Sequence, residues 1–414
     1  MEKFVLLRDG NFARRLEMGS PFDPLANGAG PLTRGTAIFE QFPPEPLVEF
    51  HEMSKGDVRD ARRDPSVMGI ARPMPLRLIE PFTSTATAQS GPTWGVEAVG
   101  ATRTSFDGAG VKVAVLDTGI DPDHTSFAGV QLVMKNFTGG ADTDPDRQGH
   151  GTHCAGTIFG RDVDQSRIGV APGIGAALIG KVLGDDGGGS SEMLFDGMQW
   201  ARREGAKVIS MSLGFDLPGA VVELIRQGWP EKLAASVALE SYRENLRIFD
   251  SIMAMFDAQA ALDGGLIVVA AAGNESERQI DPNFEVSASL PAAADEVISV
   301  GAAGLGAQGL SIADFSNTNP ILSGPGVDVI SAKLGGGLIA LQGTSMACPH
   351  VAGCAALWWQ ALSDGSVPLT ADAVTARLRA SANAAVFADD VDIADRGEGL
   401  VQAPPTATSW SRFS

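Results

Sequence analysis

The chain has 414 residues, of which 44% are hydrophobic and 20% charged, proportions that are ordinary for a globular protein with a sizeable core. Its 50 acidic and 31 basic side chains give a net charge of −19, which argues against nucleic acid or an anionic membrane as a partner. The first apolar run, residues 4–7, is much shorter than a signal-peptide core or a membrane span, so we expect a cytoplasmic protein. The cysteines do not have the pattern of a disulfide framework, and they are Cys154, Cys348 and Cys354.

Residues 1–85 differ in composition and hydrophobic pattern from the rest of the chain. Strand-like runs at 47–53 and 66–71 flank the charged segment 55–64, whose composition is typical of a short surface helix. A strand, a helix and a second strand predict a small α+β domain. The segment 82–92 that follows is small, polar and without periodicity, as in a linker.

From residue 94 onward, continuous apolar or β-branched runs alternate with helical stretches. Continuous rather than alternating hydrophobicity indicates strands that are buried on both faces, so the pattern predicts an α/β fold with a mostly parallel central sheet. Ligands bind at the carboxyl ends of the strands in such sheets. The predicted strands are 111–116, 131–137, 177–183, 207–213, 266–271, 297–302 and 327–332, and the predicted helices are 191–203, 345–362 and 371–382.

Four short segments, far apart in the sequence, each carry one group of a kind that acyl transfer requires. Asp117 lies in VAVLDTGID, His150 in GHGTHCAGT, Asn274 in VVAAAGN and Ser345 in GTSMACPHVAG. A serine hydroxyl becomes a strong nucleophile when an imidazole accepts its proton, and a buried carboxylate fixes the tautomer of that imidazole. The set therefore predicts Ser345 as the nucleophile, His150 as its base and Asp117 as the orienting acid. The amide of Asn274 would donate to the developing oxyanion, beside the backbone N–H of the serine.

Each segment also has a simpler explanation. An apolar strand that ends in Asp-Thr-Gly is common in α/β proteins. His150, His153 and Cys154 are of types that bind zinc, although no carboxylate accompanies them at metal-ligand spacing, and His153 lies one helical turn from His150. The segment GTSMA is more specific, because a tight glycine turn feeds a helix whose first N–H groups are free to face an anion. Together and in this order, the four segments favour an acyl-transfer site.

The motifs around Asp117, His150 and Ser345, in this order, resemble those of the subtilisin-like serine proteases, the subtilases. The resemblance covers residues 92–403 and implies a three-layer subtilisin-like fold. It also implies a serine endopeptidase without a cofactor, which hydrolyses a protein or peptide substrate, bound in extended form, through an acyl-enzyme.

The same resemblance implies a domain organisation. Residues 1–85 would be a propeptide-like domain that assists folding and then inhibits the active site, and residues 86–93 would be a linker with the self-cleavage site. Residues 94–403 would be the catalytic domain, followed by a tail at 404–414. The alternative is that the N-terminal domain is an accessory domain that stays attached.

Two further segments resemble the strands that hold the substrate in subtilases. An extended peptide that pairs with a strand on each side has its scissile carbonyl in a fixed register, and glycine permits close approach of the backbones. A glycine triplet is also compatible with a flexible turn. The residues implied are Gly187, Gly188 and Gly189 on one side, and Ser212, Leu213 and Gly214 on the other.

The resemblance also implies a pocket for the side chain before the cleaved bond. Ala272 and Gly273 would form its walls, Ser289 would lie near its base and Glu275 at its rim. These residues imply a preference for medium or large apolar side chains, with tolerance of Lys or Arg through Glu275.

The chain departs from the simple subtilase pattern by an inserted arm at 216–262. Apolar residues at helical spacing over 234–262 predict a long amphipathic helix there. Three roles are open for the arm: a lengthened surface helix, a lid over the cleft, or a docking surface for a partner or a second subunit.

No metal site is expected, with calcium left only as a stabiliser. Asp142, Asp144 and Asp146 alternate as in a calcium loop, but Arg147 and His153 stand where an EF-hand has Gly and Glu.

Other functions remain open beside the endopeptidase. A non-catalytic binding protein on this fold would be expected to lack a catalytic group, and none is missing. A hydrolase of esters has the same triad, but no use for strands that pair with a peptide backbone. Within the enzyme class, the alternative is a self-inhibited or narrow-substrate protease that processes one partner protein.

Overall fold

The computed structural model describes residues 1–18, 41–363 and 369–406. The chain divides into two units by its internal contacts. The larger unit comprises Pro75–Asp216 and Leu266–Ser414, and the smaller unit comprises Met1–Met74 and Leu217–Gly265. The predicted tail lies outside the described residues from 407 onward.

Strands and helices alternate through most of the described chain. The strands are β1 (Glu2–Asp9), β2 (Pro46–Met53), β3 (Val67–Ala71), β4 (Pro75–Leu78), β5 (Phe82–Thr83), β6 (Gly91–Pro92), β7 (Val113–Asp117), β8 (Gln131–Asn136), β9 (Ser166–Arg167), β10 (Ala176–Lys181), β11 (Gly188–Ser190), β12 (Val208–Met211), β13 (Leu213–Phe215), β14 (Ile267–Ala271), β15 (Val297–Gly306), β16 (Gly309–Ile312), β17 (Leu322–Pro325), β18 (Val329–Ala332) and β19 (Leu338–Gln342). The α-helices are α1 (Phe12–Met18), α2 (Lys55–Ala61), α3 (Trp94–Ala98), α4 (His150–Phe159), α5 (Ser191–Arg203), α6 (Leu217–Arg226), α7 (Glu231–Ala258), α8 (Ala260–Asp263), α9 (Thr344–Ser363), α10 (Ala371–Ala380) and α11 (Ile393–Arg396). Short 3-10 helices cover Thr125–Phe127 and Ala384–Val386.

The central sheet of the larger unit has the order β16-β15-β14-β12-β7-β10-β8, and β17 also pairs with β15. Its pairs are parallel except for β15 with β16. Strands β7, β12 and β14 are buried along their whole length, as expected for strands that are covered on both faces. The predicted mostly parallel α/β sheet is therefore confirmed. Because β7 and β14 are parallel to β12 between them, Asp117 and Asn274 lie at the same edge of the sheet.

One strand predicted for the central sheet lies elsewhere. The run 327–332 forms β18, which pairs antiparallel with β19 in a separate sheet that β5 completes. Helix α4 packs against β18 and buries it, so its continuous apolar character arises without membership of the central sheet. The strand predicted at 207–213 divides into β12 and β13, and β13 pairs with β4.

The smaller unit contains a three-stranded antiparallel sheet in the order β2-β1-β3. Strands β2 and β3 and helix α2 correspond to the elements predicted for the N-terminal domain, and a capping box between Ser54 and Asp57 begins α2. The sequence pattern does not reveal the central strand β1, whose apolar run is too short to be distinctive. In the fold, Phe4 and Leu6 of this strand form a small core with Met53.

The inserted arm forms α6, the 28-residue α7 and the short α8. The predicted long amphipathic helix is therefore confirmed. Helix α7 packs against β3, and the arm belongs to the smaller unit. None of the helices in the described part of the chain is both long and apolar enough to cross a lipid bilayer.

Candidate active site

Asp117 and His150 lie next to each other because the end of β7 meets the start of α4. Asp117 is the last residue of β7, and His150 is the first residue of α4. The Nδ1 atom of His150 lies 2.9 Å from Oδ1 and 3.0 Å from Oδ2 of Asp117, and both side chains are buried. Oδ1 also accepts a 2.7 Å hydrogen bond from the backbone N–H of Thr118. A carboxylate in this position holds the imidazole in one orientation and tautomer.

A second buried carboxylate, Asp146, fixes the turn that leads into α4. Its Oδ1 atom accepts hydrogen bonds from the hydroxyl of Thr118 and from two backbone N–H groups of the turn. Its Oδ2 atom accepts hydrogen bonds from the N–H and the hydroxyl of Thr152. Asp146 therefore connects the end of β7, with Asp117, to the start of α4, with His150. The alternating acids of this segment conceal that role in the sequence.

These contacts bear on calcium, the ion that the resemblance allows as a stabiliser. Both oxygens of Asp146 already accept hydrogen bonds from the protein. Asp142 accepts one from the N–H of Asn136, and Asp144 accepts one from the N–H of Ala141. Calcium needs several carboxylate or carbonyl oxygens that face the ion. Asp146, both of whose oxygens accept hydrogen bonds from the protein, therefore does not have the surroundings of a calcium ligand.

Ser345 lies in the first turn of α9 and is fully buried. Its hydroxyl donates a 3.1 Å hydrogen bond to the carbonyl oxygen of Ile79, and the carbonyl oxygen of Ser212 lies 3.5 Å away. The Nε2 atom of His150 has no hydrogen-bond partner among the described residues. The hydroxyl of Ser345 is thus directed at a peptide carbonyl instead of the imidazole.

Asn274 follows β14, and Thr344 orients its side chain. Oδ1 of Asn274 accepts two 2.9 Å hydrogen bonds from Thr344, one from the backbone N–H and one from the hydroxyl. The Nδ2 atom is left to donate into the cleft, where it lies 3.1 Å from the carbonyl oxygen of Glu80. The sequence pattern does not single out Thr344; the available signal is its place between the turn glycine and Ser345.

The predicted substrate-binding strands hold an extended peptide, and that peptide is a segment of the same chain. Strand β4 lies between β11 and β13 and pairs antiparallel with both. The carbonyl oxygen of Gly187 accepts a 2.8 Å hydrogen bond from the N–H of Leu78. Gly187 has a φ of +77°, and a Cβ atom there would lie 3.2 Å from that of Leu78, so glycine permits both the left-handed backbone and the close approach. The other pairs are Gly188 with Arg77, Gly189 with Leu76, Leu213 with Leu78 and Gly214 with Arg77.

Ile79, the residue after β4, is 4% exposed, and Gly214 lies between its side chain and Ser289, the predicted base of the specificity pocket. A Cβ atom at Gly214 would lie 3.6 Å from Cγ1 of Ile79 and 3.6 Å from Oγ of Ser289. The N–H of Ser289 donates to the carbonyl oxygen of Ala272 at 3.1 Å, which connects the predicted base and wall of the pocket. A buried aliphatic side chain therefore lies near the predicted base of the pocket.

One carboxylate oxygen of Glu275 is engaged by a neighbouring side chain. Its Oε2 atom accepts a 2.7 Å hydrogen bond from Nδ2 of Asn317. Both atoms crowd Gly273, where φ is +116° and an added Cβ atom would lie 2.3 Å from each. Glycine is therefore required at 273, and the contacts of Glu275 give no support to the expected tolerance of Lys or Arg.

The occupied cleft continues beyond Ser345. Thr83 and Phe82 of β5 pair with Leu341 and Gln342 of β19. A cavity of about 770 Å³ adjoins this segment, and residues from both sides of the candidate site line it, among them His150, Gly187 and Leu334.

Cys154 lies against the candidate site without belonging to its chemistry. Its Sγ atom is 3.8 Å from Nδ1 of His150 and donates to the carbonyl oxygen of Ser345 at 3.4 Å. Burial raises the pKa of the Cys154 thiol well above its usual value and raises the pKa of Cys348 to about 11. Both thiols are therefore neutral, in agreement with the prediction that they are small buried residues.

Comparisons with known proteins agree with the resemblance that the sequence motifs carry. The profile described as the subtilase family matches residues 108–400. An intracellular serine protease of Paenibacillus polymyxa is 36% identical over 256 residues, which are 60% of this chain and 67% of that protein. The major intracellular serine protease of Bacillus subtilis (strain 168) is 35% identical over 256 residues, which are 60% of this chain and 68% of that protein. An alkaline protease of Alkalihalobacillus alcalophilus is 33% identical over 311 residues, which are 74% of this chain and 67% of that protein.

Proposed function

Since this chain belongs to the subtilase family of serine endopeptidases, we propose that it is a self-processing precursor whose own N-terminal segment occupies the active site. Its fold is the three-layer α/β fold of that family. The proposal assigns catalysis to Asp117, His150, Ser345 and Asn274.

In the proposed reaction, Oγ of Ser345 attacks the carbonyl carbon of the residue before the cleaved bond. Nε2 of His150 accepts the hydroxyl proton, and Asp117 stabilises the imidazolium through Nδ1. The N–H of Ser345 and Nδ2 of Asn274 donate to the oxyanion of the tetrahedral intermediate. The C–N bond then breaks as His150 gives the proton to the leaving amine. Water hydrolyses the resulting acyl-enzyme by the same steps, and no cofactor is needed.

The observation that carries the proposal is the 3.1 Å contact between Oγ of Ser345 and the carbonyl oxygen of Ile79. The strand before Ile79 pairs on both sides, as a bound substrate would. The buried side chain of Ile79 lies near Ser289, which the resemblance assigns to the pocket for the residue before the cleaved bond, and this supports the assignment. We therefore assign self-cleavage to the bond between Ile79 and Glu80, upstream of the linker at 86–93 where the sequence pattern predicts it.

The uncut segment also supports self-inhibition. Nδ2 of Asn274 donates to the carbonyl oxygen of Glu80, one residue beyond the carbonyl that Ser345 contacts. Reaction requires the Ser345 hydroxyl to turn toward His150 and the carbonyl of Ile79 to reach the oxyanion donors. The segment thus fills the cleft in an arrangement that reacts slowly, and it excludes other substrates while it stays.

The occupied subsites support a preference for aliphatic residues in protein or peptide substrates. The side chains that occupy the cleft are at most 4% exposed, and they are Leu76, Leu78 and Ile79. An acidic or basic side chain at the position of Ile79 would lose hydration without gaining a partner in the pocket.

Intact-mass analysis of the wild type and a Ser345→Ala variant tests the self-cleavage. We expect the wild type to lose residues 1–79 and to begin at Glu80, whereas Ser345→Ala stays intact. Ser363→Ala, at the end of α9, is the matched control for Ser345→Ala. Ile79→Asp should slow the cleavage, because the surroundings of Ile79 are apolar. A new N-terminus within 86–93, or a wild type of unchanged mass, would contradict the assignment.

We further propose that the protein acts inside the cell. Two relatives bear the name intracellular serine protease, and the sequence pattern carries the same expectation. Fractionation of the producing cells tests it, and recovery of the activity from the medium alone would contradict it.

A further inference from the structure

Asn317 is a fully buried polar residue in the segment between β16 and β17. Its Oδ1 atom accepts 3.1 Å hydrogen bonds from the backbone N–H groups of Glu275 and Ser276. Its Nδ2 atom donates to the carbonyl oxygen of Ala272 at 3.0 Å and to Oε2 of Glu275 at 2.7 Å. Both ends of the amide therefore bind the loop 272–276, which carries Asn274.

The backbone of Asn317 adds a contact on the other side of Asn274. Its N–H donates a 3.1 Å hydrogen bond to the carbonyl oxygen of Gly273, which belongs to the peptide unit before Asn274. The N–H of Glu275, which Oδ1 of Asn317 binds, belongs to the peptide unit after it. Because peptide units are planar, fixing both of them fixes φ and ψ of Asn274 and the direction of its Cα–Cβ bond. Asn317 thus sets where the side chain of Asn274 starts, and Thr344 sets how its amide is turned.

The contacts of Asn317 require an amide in one orientation. Oδ1 faces two N–H donors, whereas Nδ2 faces a carbonyl oxygen and a carboxylate oxygen, so exchanging the two ends would oppose like groups. An aspartate would have the same size, but it would place an oxygen against the carbonyl of Ala272 and the carboxylate of Glu275. An alanine would leave the N–H of the buried Ser276 without this acceptor.

The position of Asn317 is itself fixed by the central sheet. The neighbouring Ser316 is fully buried, and its Oγ atom accepts a 3.0 Å hydrogen bond from the N–H of Ala302 in β15. Glu275 and Glu277 of the loop that Asn317 binds are exposed. Asn317 therefore joins a loop with exposed residues to a buried strand.

We propose that Asn317 is a positioning residue for peptide-bond cleavage, which holds the backbone of Asn274 so that Nδ2 of Asn274 meets the oxyanion. The inference rests on the proposed function, because that function assigns the oxyanion donor to Asn274. Asn317 acts through Asn274 and lowers the barrier only while the donor stays in place at the transition state.

The first test is Asn317→Asp, which keeps the size of the side chain and replaces its two donated hydrogen bonds with repulsive contacts. We expect kcat on a peptide substrate to fall about tenfold with little change in KM, because a displaced donor costs the transition state about one hydrogen bond. Steady-state kinetics give both constants. Titration to completion with a fluorophosphonate counts the accessible sites, so that kcat does not depend on how much of each preparation has been processed.

A double-mutant cycle with Asn274→Ala separates positioning from a general structural role. If Asn317 acts through Asn274, its effect should disappear once the amide of Asn274 has been removed. We therefore expect Asn317→Asp to lower kcat by less than about twofold in the Asn274→Ala background. Asn283→Ser is the matched control, because it changes an exposed amide that bonds to Asp281 of its own loop, and it should leave both constants unchanged.

Thermal melting of each variant in a Ser345→Ala background shows that it is folded. If Asn317→Asp does not fold, Asn317→Ser takes its place in the cycle, because its hydroxyl is a smaller group that also donates and accepts. The same pattern is expected for it, with a loss of kcat that depends on the presence of the Asn274 amide.

Equal loss of kcat in the two backgrounds, or a rise in KM at constant kcat, would overturn the positioning role and leave Asn274 as the donor. An unchanged kcat for Asn274→Ala would refute the oxyanion assignment of the proposed function, and the positioning role with it. Because the substrate is an added peptide, these outcomes are independent of whether the chain cleaves itself after Ile79.

Discussion

At the scale of single residues, the candidate site depends on side chains that position the reacting ones. Thr344 gives both a backbone N–H and a hydroxyl to Oδ1 of Asn274, which turns the Nδ2 donor toward the cleft. The hydroxyl also accepts a 3.2 Å hydrogen bond from the N–H of Gly273. In its proposed role as an oxyanion donor, Asn274 needs its amide held in this orientation.

Thr344→Val keeps the shape of the side chain and removes the hydroxyl. We expect kcat to fall about tenfold with little change in KM, because one hydrogen bond of about 1.4 kcal/mol no longer holds the Asn274 amide. Steady-state kinetics on a peptide substrate, measured after the proposed self-cleavage, test this effect. Thr344→Ser retains the hydroxyl and should keep most of the activity, whereas a rise in KM at constant kcat would show that Thr344 does not act through the oxyanion donor.

At the scale of elements, two loops set the geometry that the site requires. Asp146 holds the turn before α4 by accepting hydrogen bonds on both of its oxygens. These bonds fix the position of the start of the helix relative to the end of β7. On the other side of the cleft, the turn at Gly187 brings β11 against the peptide in β4. Neither element contributes a reacting atom.

Asp146→Asn replaces one accepting oxygen with an NH₂ group that faces N–H and O–H donors. We expect the free energy of unfolding to fall by about 2–3 kcal/mol, because buried donors lose their acceptor. Urea denaturation of the Ser345→Ala form measures it, and Asp142→Asn, which loses one acceptor at an exposed position, is the control. Equal stability of the two variants would mean that Asp146 is not the anchor of this turn.

Gly187→Ala places a methyl group on a left-handed backbone and against Leu78. We expect KM for extended peptides to rise several-fold, since β11 can no longer approach the bound peptide as closely. Gly205→Ala has a similar positive φ with no atom within 4 Å of the added Cβ, so it separates backbone strain from loss of cleft contact. A KM that changes equally in both variants would contradict the role given to Gly187.

At the scale of the whole molecule, burial decides how the fold responds to acid. Burial is the main cause that lowers the pKa of His153 to about 3 and that of His350 to about 4. The unfolded chain has ordinary histidines with a pKa near 6.5. The neutral forms are therefore favoured by the fold, and the stability they contribute is present above about pH 6.5 and is lost as the pH falls toward 3 to 4.

We expect the free energy of unfolding to fall by up to about 1.4 kcal/mol per pH unit for each of these histidines below pH 6.5. Urea denaturation of Ser345→Ala at several pH values between 7.5 and 5 measures the slope. His153→Gln retains a donor for the carbonyl oxygen of Val329, which Nε2 of His153 contacts at 3.1 Å, and should have a shallower slope. The same slope in both proteins would show that His153 is not buried in its neutral form.

Much of the larger unit follows from local pattern. Continuous apolar runs predict the parallel strands, because a strand with two covered faces needs apolar side chains at every position. The same rule is wrong for β18, where a packed helix buries the strand outside the central sheet. The rule also fails to predict β1. Its apolar run is short and has charged neighbours, so the sequence does not show that β2 and β3 pair with it on both sides.

The sequence by itself determined the family of this protein, because the segments around positions 117, 150, 274 and 345 and their order resemble the subtilases, and the family profile matches residues 108–400. Only the tertiary structure decided what lies in the cleft. Strand β4 pairs with β11 and β13 through backbone hydrogen bonds, which do not require a particular pattern of side chains. The sequence of residues 75–83 therefore does not predict that this segment lies in the cleft. The surface that covers helix α7 is also hidden in the sequence, because an amphipathic pattern shows that one face is covered but does not show that β3 covers it.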